Sequence, residues 1–179
     1  MISPLRELTR AEHDRVDLLY SQFKLDEPAS YASFLLAQGA AHCAVEAELE
    51  RAGAASVLAD WPARRRSGFV TADLAELGLR VPEGAFSRRL EGLPQILGAV
   101  YVLEGSRLGG KVLAKRLYPG APRRFLAAAG GGSAWPLLVN LLNQNLQDPG
   151  DLMTAASAAK DCFACFEHSA VQHGEQEIA

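Results

Sequence analysis

Cysteine is scarce in this chain: three residues in 179, an odd number with two of them three positions apart, which excludes a disulfide-stapled scaffold. Long apolar runs are missing as well. No stretch reaches the roughly 18 to 20 uninterrupted apolar residues that span a bilayer. Arg6 and Glu7 interrupt the beginning of the chain, where a secretory leader would hold its apolar core. The reading is a cytoplasmic protein with no membrane partner. Charge of one sign is not in excess either, since 18 Lys and Arg face 21 Asp and Glu for a net charge of -3. That balance gives no general attraction to phosphate backbones or anionic lipid, so no nucleic-acid partner is expected. Apolar and polar residues nowhere alternate with a period of two over a useful length, so strands are not expected.

What is present is material for helices. With 49% apolar residues, a chain of this length buries a full core in one domain. Ser3 is expected to cap, and Pro4 to open, a first helix whose Leu5, Leu8, Val16, Leu19 and Phe23 recur at helix spacing, ending at about Phe23. Ser30 is expected to cap a second helix that stops near Gly53. Short elements follow between Asp60 and Gly92, among them a helix at 71–77 stopped by Gly78. The longest apolar helix is expected at 95–117, opened by Pro94. Another runs from a Ser133 cap through Leu146, and the last from Leu152 to about Val171. The fold class is all-α, with a single domain at 1–171 and a polar tail at 172–179.

Sixteen glycines are out of keeping with this helical composition, because each costs about 1 kcal/mol in a helix interior. Gly53, Gly78, Gly120 and Gly150 read as helix stops. Gly98, Gly105, Gly109 and Gly110 instead lie within the longest apolar helix. Gly105 to Lys111 matches G-x-x-x-x-G-K, the spacing of a phosphate-binding loop. The match fails in context, since Val112 stands where Ser or Thr would hold Mg²⁺ and no strand precedes it. Gly105 and Gly109, four apart, share a helix face with Gly110 beside it. A face without side chains lets a flat ligand approach the backbone, and it equally lets another helix pack closely. Composition leaves both readings open.

His13 is a candidate ligand for a metal ion or haem iron, and Arg6, seven residues earlier and on nearly the same face of one helix, can pair with a ligand carboxylate. His42 and Glu46 are four apart, but no second Glu/His pair completes a di-iron set, so His42 reads as structural. His168 and His173 read as surface residues, and Cys162 and Cys165 as core cysteines on a helix. The arginine runs at 64–66, 88–89 and 123–124 read as solvated surface.

Two segments become specific when taken together. Leu5-Arg6-Glu7-Leu8-Thr9-Arg10-Ala11-Glu12-His13 resembles the opening helix of the haem oxygenase family, whose L-[KR]-x-x-T-x-x-x-H pattern ends in the proximal haem ligand. Tyr101-Val102-Leu103-Glu104-Gly105-Ser106-Arg107-Leu108-Gly109-Gly110 resembles that family's kinked distal helix, nearest to the bacterial branch that includes phytochrome-associated members. The resemblance spans about Leu5 to Phe166. It implies a single-domain multi-helix bundle with a glycine-kinked distal helix, and haem, both substrate and cofactor, between that helix and the first. His13 would ligate the iron. Gly105, Gly109 and Gly110 would line the distal side and leave room for O₂, and Arg6 would pair with a haem propionate.

Ser106 stands where mammalian-type members carry an Asp that organises distal water, and with Gly105 and Gly109 it makes up the implied catalytic set. No Lys or Arg occurs between Arg124 and Lys160, where family members place further propionate partners. Arg107, Lys111 and Lys115 are then the candidates, and the resemblance does not choose among them. The implied activity is O₂-dependent cleavage of haem to biliverdin, CO and Fe²⁺, with electrons from an external donor protein or reductant and a bilin-accepting protein as a further partner. The missing Asp and the missing late basic residues raise the alternative of a non-enzymatic haem or bilin carrier on the same fold.

Overall fold

The computed structural model describes residues 4–128 and 134–174, and among the described residues every regular element is a helix. α1 (Pro4–Leu8) and α2 (Arg10–Tyr20) lead into the long α3 (Pro28–Arg51). The segment expected to be broken up holds α4 (Ala54–Val57), α5 (Trp61–Arg64) and α6 (Ser67–Glu76). After α7 (Gly92–Ala114) come α8 (Arg124–Ala127), α9 (Ala134–Asn145) and α10 (Pro149–Gly174). The all-α bundle expected from periodicity is the architecture observed.

Helix ends depart from expectation for local reasons. The first helix is two, because Thr9 leaves helical geometry at φ -117 and ψ 8. Its Oγ1 donates to the Leu5 carbonyl at 2.8 Å, a local bond of the kind that competes with a helix's own ladder. Ser30 is not a cap: α3 begins at Pro28, and the Ser30 hydroxyl accepts the Lys24 amide at 2.8 Å from inside the first turn. Gly53 and Gly78 do follow the ends of α3 and α6 with φ of 84 and 73, whereas Gly120, with φ 83, lies in a turn beyond α7, which already ends at Ala114. Gly150 stops nothing, since it sits in the first turn of α10, where Asp148 Oδ1 accepts the amides of Gly150 and Asp151 at 2.8 and 3.2 Å. α10 runs past the expected end near Val171 to Gly174 and buries His173, which therefore is not a surface residue. The expected caps Ser3 and Ser133, and residues 175–179 of the polar tail, lie outside the described residues.

α10 is the spine, lying against α7, α3 and α2. Ala155, Ala158, Ala159, Cys162, Phe163 and Phe166 of α10 meet Leu97, Val100 and Leu103 of α7 in one apolar cluster. Tyr31, Phe34 and Leu35 of α3, Val70 and Leu74 of α6, and Phe125 and Leu126 of α8 form a second. Small residues set the α7–α10 distance: a Cβ on Gly98 would lie 2.1 Å from the Ala155 carbonyl oxygen. Buried carboxylates start the short helices. Glu46 accepts the amides of Arg66 (2.7 Å) and Ser67 (3.0 Å) ahead of α6, and Asp73 accepts those of Arg124 (3.1 Å) and Phe125 (2.8 Å) ahead of α8. Each carboxylate thus satisfies helix-start donors that would otherwise be buried unpaired.

Candidate active site

His13 lies on α2, one turn beyond the Thr9 interruption, with 54% of its side chain exposed. Its ring meets Phe163 of α10 edge-on at 5.9 Å between centroids. Nδ1 faces Asp17 Oδ2 at 3.3 Å and Asp14 Oδ1 at 3.7 Å. A carboxylate next to Nδ1 favours the tautomer protonated there and leaves Nε2 with the free lone pair, an arrangement that suits an imidazole to metal ligation. Arg6 is exposed on α1, and the turn at Thr9 separates it from the helix carrying His13. Its charge reaches Tyr101 of α7. The Tyr101 hydroxyl is pushed above its usual pKa by burial and pulled back by Thr9 and Arg6, so the start of the chain and α7 approach each other at this point.

α7 is helical without interruption across Gly98, Gly105, Gly109 and Gly110, none of which has positive φ. These glycines do two different jobs. Gly110 is buried, and a Cβ there would come within 2.9 Å of the Leu126 carbonyl oxygen; it permits close packing on α8 and does not line an open face. Gly109 has nothing within 4 Å of a built Cβ, and Gly105 meets only the Trp135 ring at 3.9 Å. Leu108 and Val112 beside them are 56% and 64% exposed. Gly105 and Gly109 therefore leave a bare apolar strip on α7. Trp135 of α9 flanks it, its ring tilted against Tyr101 at 5.8 Å.

Behind the strip a polar network runs from the buried Arg66 and His42 to Ser106, which is itself exposed. Arg66 Nη2 contacts His42 Nε2 at 2.7 Å and donates to the Leu103 carbonyl at 2.9 Å and to the Ser106 hydroxyl. Ser106 Oγ in turn donates to the Leu103 carbonyl at 2.7 Å. A guanidinium can only donate, so His42 Nε2 accepts and the neutral ring carries its proton on Nδ1. Burial, then the Arg66 charge, hold the His42 pKa well below its usual value, as a structural histidine requires. Burial first, and Arg107 second, pull the Arg66 pKa down to about 10.

Arg107 is not placed to meet a cleft ligand. Its guanidinium donates to Glu104 Oε1 at 3.1 Å, to the Ala128 carbonyl at 3.0 Å and to the Arg64 carbonyl, because its position on α7 faces inward. Glu104 Oε2 also holds Arg64 at 3.3 Å. Lys111 and Lys115 are exposed on α7.

The fold and the site together define an all-α bundle that presents a half-exposed imidazole on α2 and a bare apolar strip on α7. A curated relative, the haem oxygenase PigA of Pseudomonas aeruginosa, is 31% identical over 172 residues, covering 90% of this chain and 87% of the relative. The chain belongs to the haem oxygenase family. Among solved structures, the NO- and CO-bound haem oxygenase of Neisseria meningitidis superposes with a TM-score of 0.79 at 26% identity, covering 94% of this chain and 89% of that one. No family model matches the chain.

Several site residues escape sequence reasoning. Arg64 and Arg66 are 5% and 2% exposed, so two of the three arginines read as solvated surface are core. Nothing in an R-R-R run signals which members turn inward. Arg124 pairs with Asp73 and Glu76, and Arg88 with Asp161. Asp17 was not picked out from the sequence, although it follows His13 at the i,i+4 spacing of facing helix residues, a signal that could have found it. Cys162 and Cys165 are core residues as expected, with burial pushing the Cys165 thiol up to about 11.

Proposed function

We propose that this chain is a haem-degrading oxygenase that binds haem between α2 and α7 and opens it to biliverdin, CO and Fe²⁺, using O₂ and electrons from an external donor. The observation that carries the reading is the pairing of a half-exposed His13, its Nδ1 beside Asp17 at 3.3 Å, with the side-chain-free strip at Gly105 and Gly109. These residues fit haem in kind: a neutral nitrogen donor for the iron and an apolar surface for a flat ring. Bound haem supplies the iron that activates O₂ and the porphyrin that is cleaved.

The protein's own residues orient and make space. Asp17 fixes the His13 tautomer. Gly105 and Gly109 keep side chains off the distal face, and Trp135 bounds it on one side. The Ser106 hydroxyl commits its proton to the Leu103 carbonyl, so it is not the proton source; protons come from water reaching the open strip. Arg6 and Lys111, both exposed, suit the propionates, and Arg107 is withdrawn from that role. The electron donor and any bilin acceptor act as separate proteins. Among the described residues no helix is long and apolar enough to cross a membrane.

Haemin titration tests the reading. Wild type should develop a Soret band at one equivalent and yield biliverdin when a reductant is added. His13→Ala should lose or shift that band and give no biliverdin. Identical spectra and products for the two proteins would refute the ligand assignment.

A further inference from the structure

We propose that His173 is a proton-operated latch at the corner where the end of α10 closes over the turn after α2. Neutral, the ring seals the corner; protonated, it leaves and releases the trailing end of α2. The latch is a property of the fold, and only its consequence for haem rests on the reading of His13 as the iron ligand.

His173 lies in the last turn of α10 and is 6% exposed. Both of its ring nitrogens are buried, and neither has a hydrogen-bond partner. A neutral imidazole carries one N–H and one lone pair, so closing the corner strands a donor and an acceptor together, at a cost that contact with water would remove. His42 differs at this point, since its Nε2 meets Arg66 at 2.7 Å.

Apolar packing holds the ring in despite that cost. Ala170, three residues earlier and on the same helix face, belongs to one apolar cluster with Phe23 and Leu25 of the turn after α2. A Cβ on Gly174 would lie 3.9 Å from Phe23 Cζ. Phe23 packs in turn on Tyr20 of α2 at 5.7 Å and on Phe34 of α3 at 6.0 Å, and the Leu25 carbonyl accepts the Tyr118 amide at 3.3 Å. The last turn of α10 therefore covers the turn that fixes the end of α2.

Protonation reverses the balance, because an apolar enclosure disfavours the charged ring and no counter-ion is set aside for it. On the elements that meet here, the Tyr20 and Tyr31 hydroxyls donate to the Phe166 and Pro122 carbonyls. Lys24 pairs with Glu27 at 3.1 Å and Glu167 with Arg15 at 3.4 Å, Asp26 and His168 are exposed, and Tyr118 is half-buried. Burial alone accounts for the lowered pKa of His173. Outside, an imidazolium would sit beside the unpaired carbonyls of a helix C-terminus, where positive charge is favoured. The closed corner is thus fully favoured above the open-state pKa of about 6.5 and loses ground as pH falls below it. α2 has no fully buried residue of its own, so opening the corner frees the helix that carries His13.

Amide hydrogen exchange of the haem-free protein at about pH 7.5 and about pH 5.5 tests the latch in wild type, His173→Leu and His173→Phe. Protection factors at residues 18–25 are read as a ratio to those of α7, which report any loss shared by the whole fold. From the higher to the lower pH the wild-type ratio should fall by up to about tenfold, the limit that linkage sets for one histidine with an open-state pKa of about 6.5. In the variants, which take up no proton there, it should change by less than about twofold. A wild-type ratio that does not fall overturns the proposal, and so does an equal fall in a folded variant. If neither variant folds, proton NMR of the His173 ring in wild type decides. A midpoint below about 6.5 that accompanies the falling ratio supports the latch, and a midpoint at or above that value overturns it. Haem affinity by Soret titration should fall further over the same interval in wild type than in His173→Leu, the protonation of His13 being common to both; equal falls overturn the link to haem. Failure of His13→Ala to alter the Soret band would instead remove the reading of the site and leave the exchange result standing.

Discussion

His13 and His42 show how environment divides two histidines of one chain. His13 is half exposed with its Nδ1 on carboxylates, and His42 is fully buried with its Nε2 accepting from a guanidinium. For His42 the consequence is a pH dependence of stability. Its folded pKa lies below the unfolded value of about 6.5, so the unfolded chain takes up a proton that the folded protein refuses. The stability it contributes is fully present above about pH 6.5 and is lost as pH falls below it, at up to about 1.4 kcal/mol per pH unit. Melting curves from pH 7 to pH 5 should therefore fall more steeply for wild type than for His42→Gln, which retains an acceptor for Arg66 but does not titrate; parallel curves would mean that His42 charges inside the fold. The same contrast shows what a single residue reveals in sequence. His13 announces itself through its motif, whereas Asp17, not singled out from the sequence, carries only the helical spacing that puts it beside the ring. Arg66 gives no such signal, because its partners His42, Leu103 and Ser106 are far away in the chain and meet only after three helices have packed.

At the scale of the helix, α7 uses one residue type for opposite purposes, and alanine separates them. Gly98→Ala places a methyl 2.1 Å from a backbone oxygen of α10. Neither helix can yield without opening their shared apolar cluster, so we expect a loss at the upper end of the roughly 1–3 kcal/mol typical of overpacking, or beyond it. Gly109→Ala meets no neighbour within 4 Å and removes the entropic cost of a helical glycine, so the apoprotein should gain about 0.5–1 kcal/mol. In the same protein, haem binding or turnover should suffer, because the methyl enters the strip. Urea unfolding of both variants alongside haemin titration checks the pair, and a Gly109→Ala protein with higher stability and undiminished turnover would show that the strip is not the distal wall. Periodicity placed α7, α9 and α10 close to their observed positions because long apolar faces dominate their burial. It missed the break at Thr9 and the start of α10, where one hydroxyl or one carboxylate decides the matter.

At the scale of the whole molecule, the two walls of the proposed cleft are unequally held. α7 buries Leu97, Val100 and Leu103 in the main cluster, whereas α2 has no fully buried residue. α2 joins α10 through partly buried Val16 and Tyr20, the ring contacts of His13 with Phe163 and Tyr20 with Phe166, a 3.3 Å bond from the Tyr20 hydroxyl to the Phe166 carbonyl, and ion pairs of Arg15 with Glu167 at 3.4 Å and Glu12 with Lys160 at 3.5 Å. Exposed pairs of this kind contribute at most about 1 kcal/mol each. Elements with few buried apolar contacts open locally at low free energy, so the helix that carries the proposed iron ligand is freer to move in the apoprotein than α7 or α10. Haem that bridges His13 on α2 to the strip on α7 would bind only the closed arrangement, and at a hundredfold excess over its Kd it stabilises that state by about 2.7 kcal/mol. Amide hydrogen exchange reads this directly. Without haem, α2 should exchange well ahead of α7 and α10; with haem its protection should rise by roughly a hundredfold, while the amides of α10 change little. In His13→Ala the haem-dependent gain on α2 should vanish even if haem still adheres to the apolar strip. Equal protection of α2 before and after haem addition would place the ligand elsewhere in the bundle.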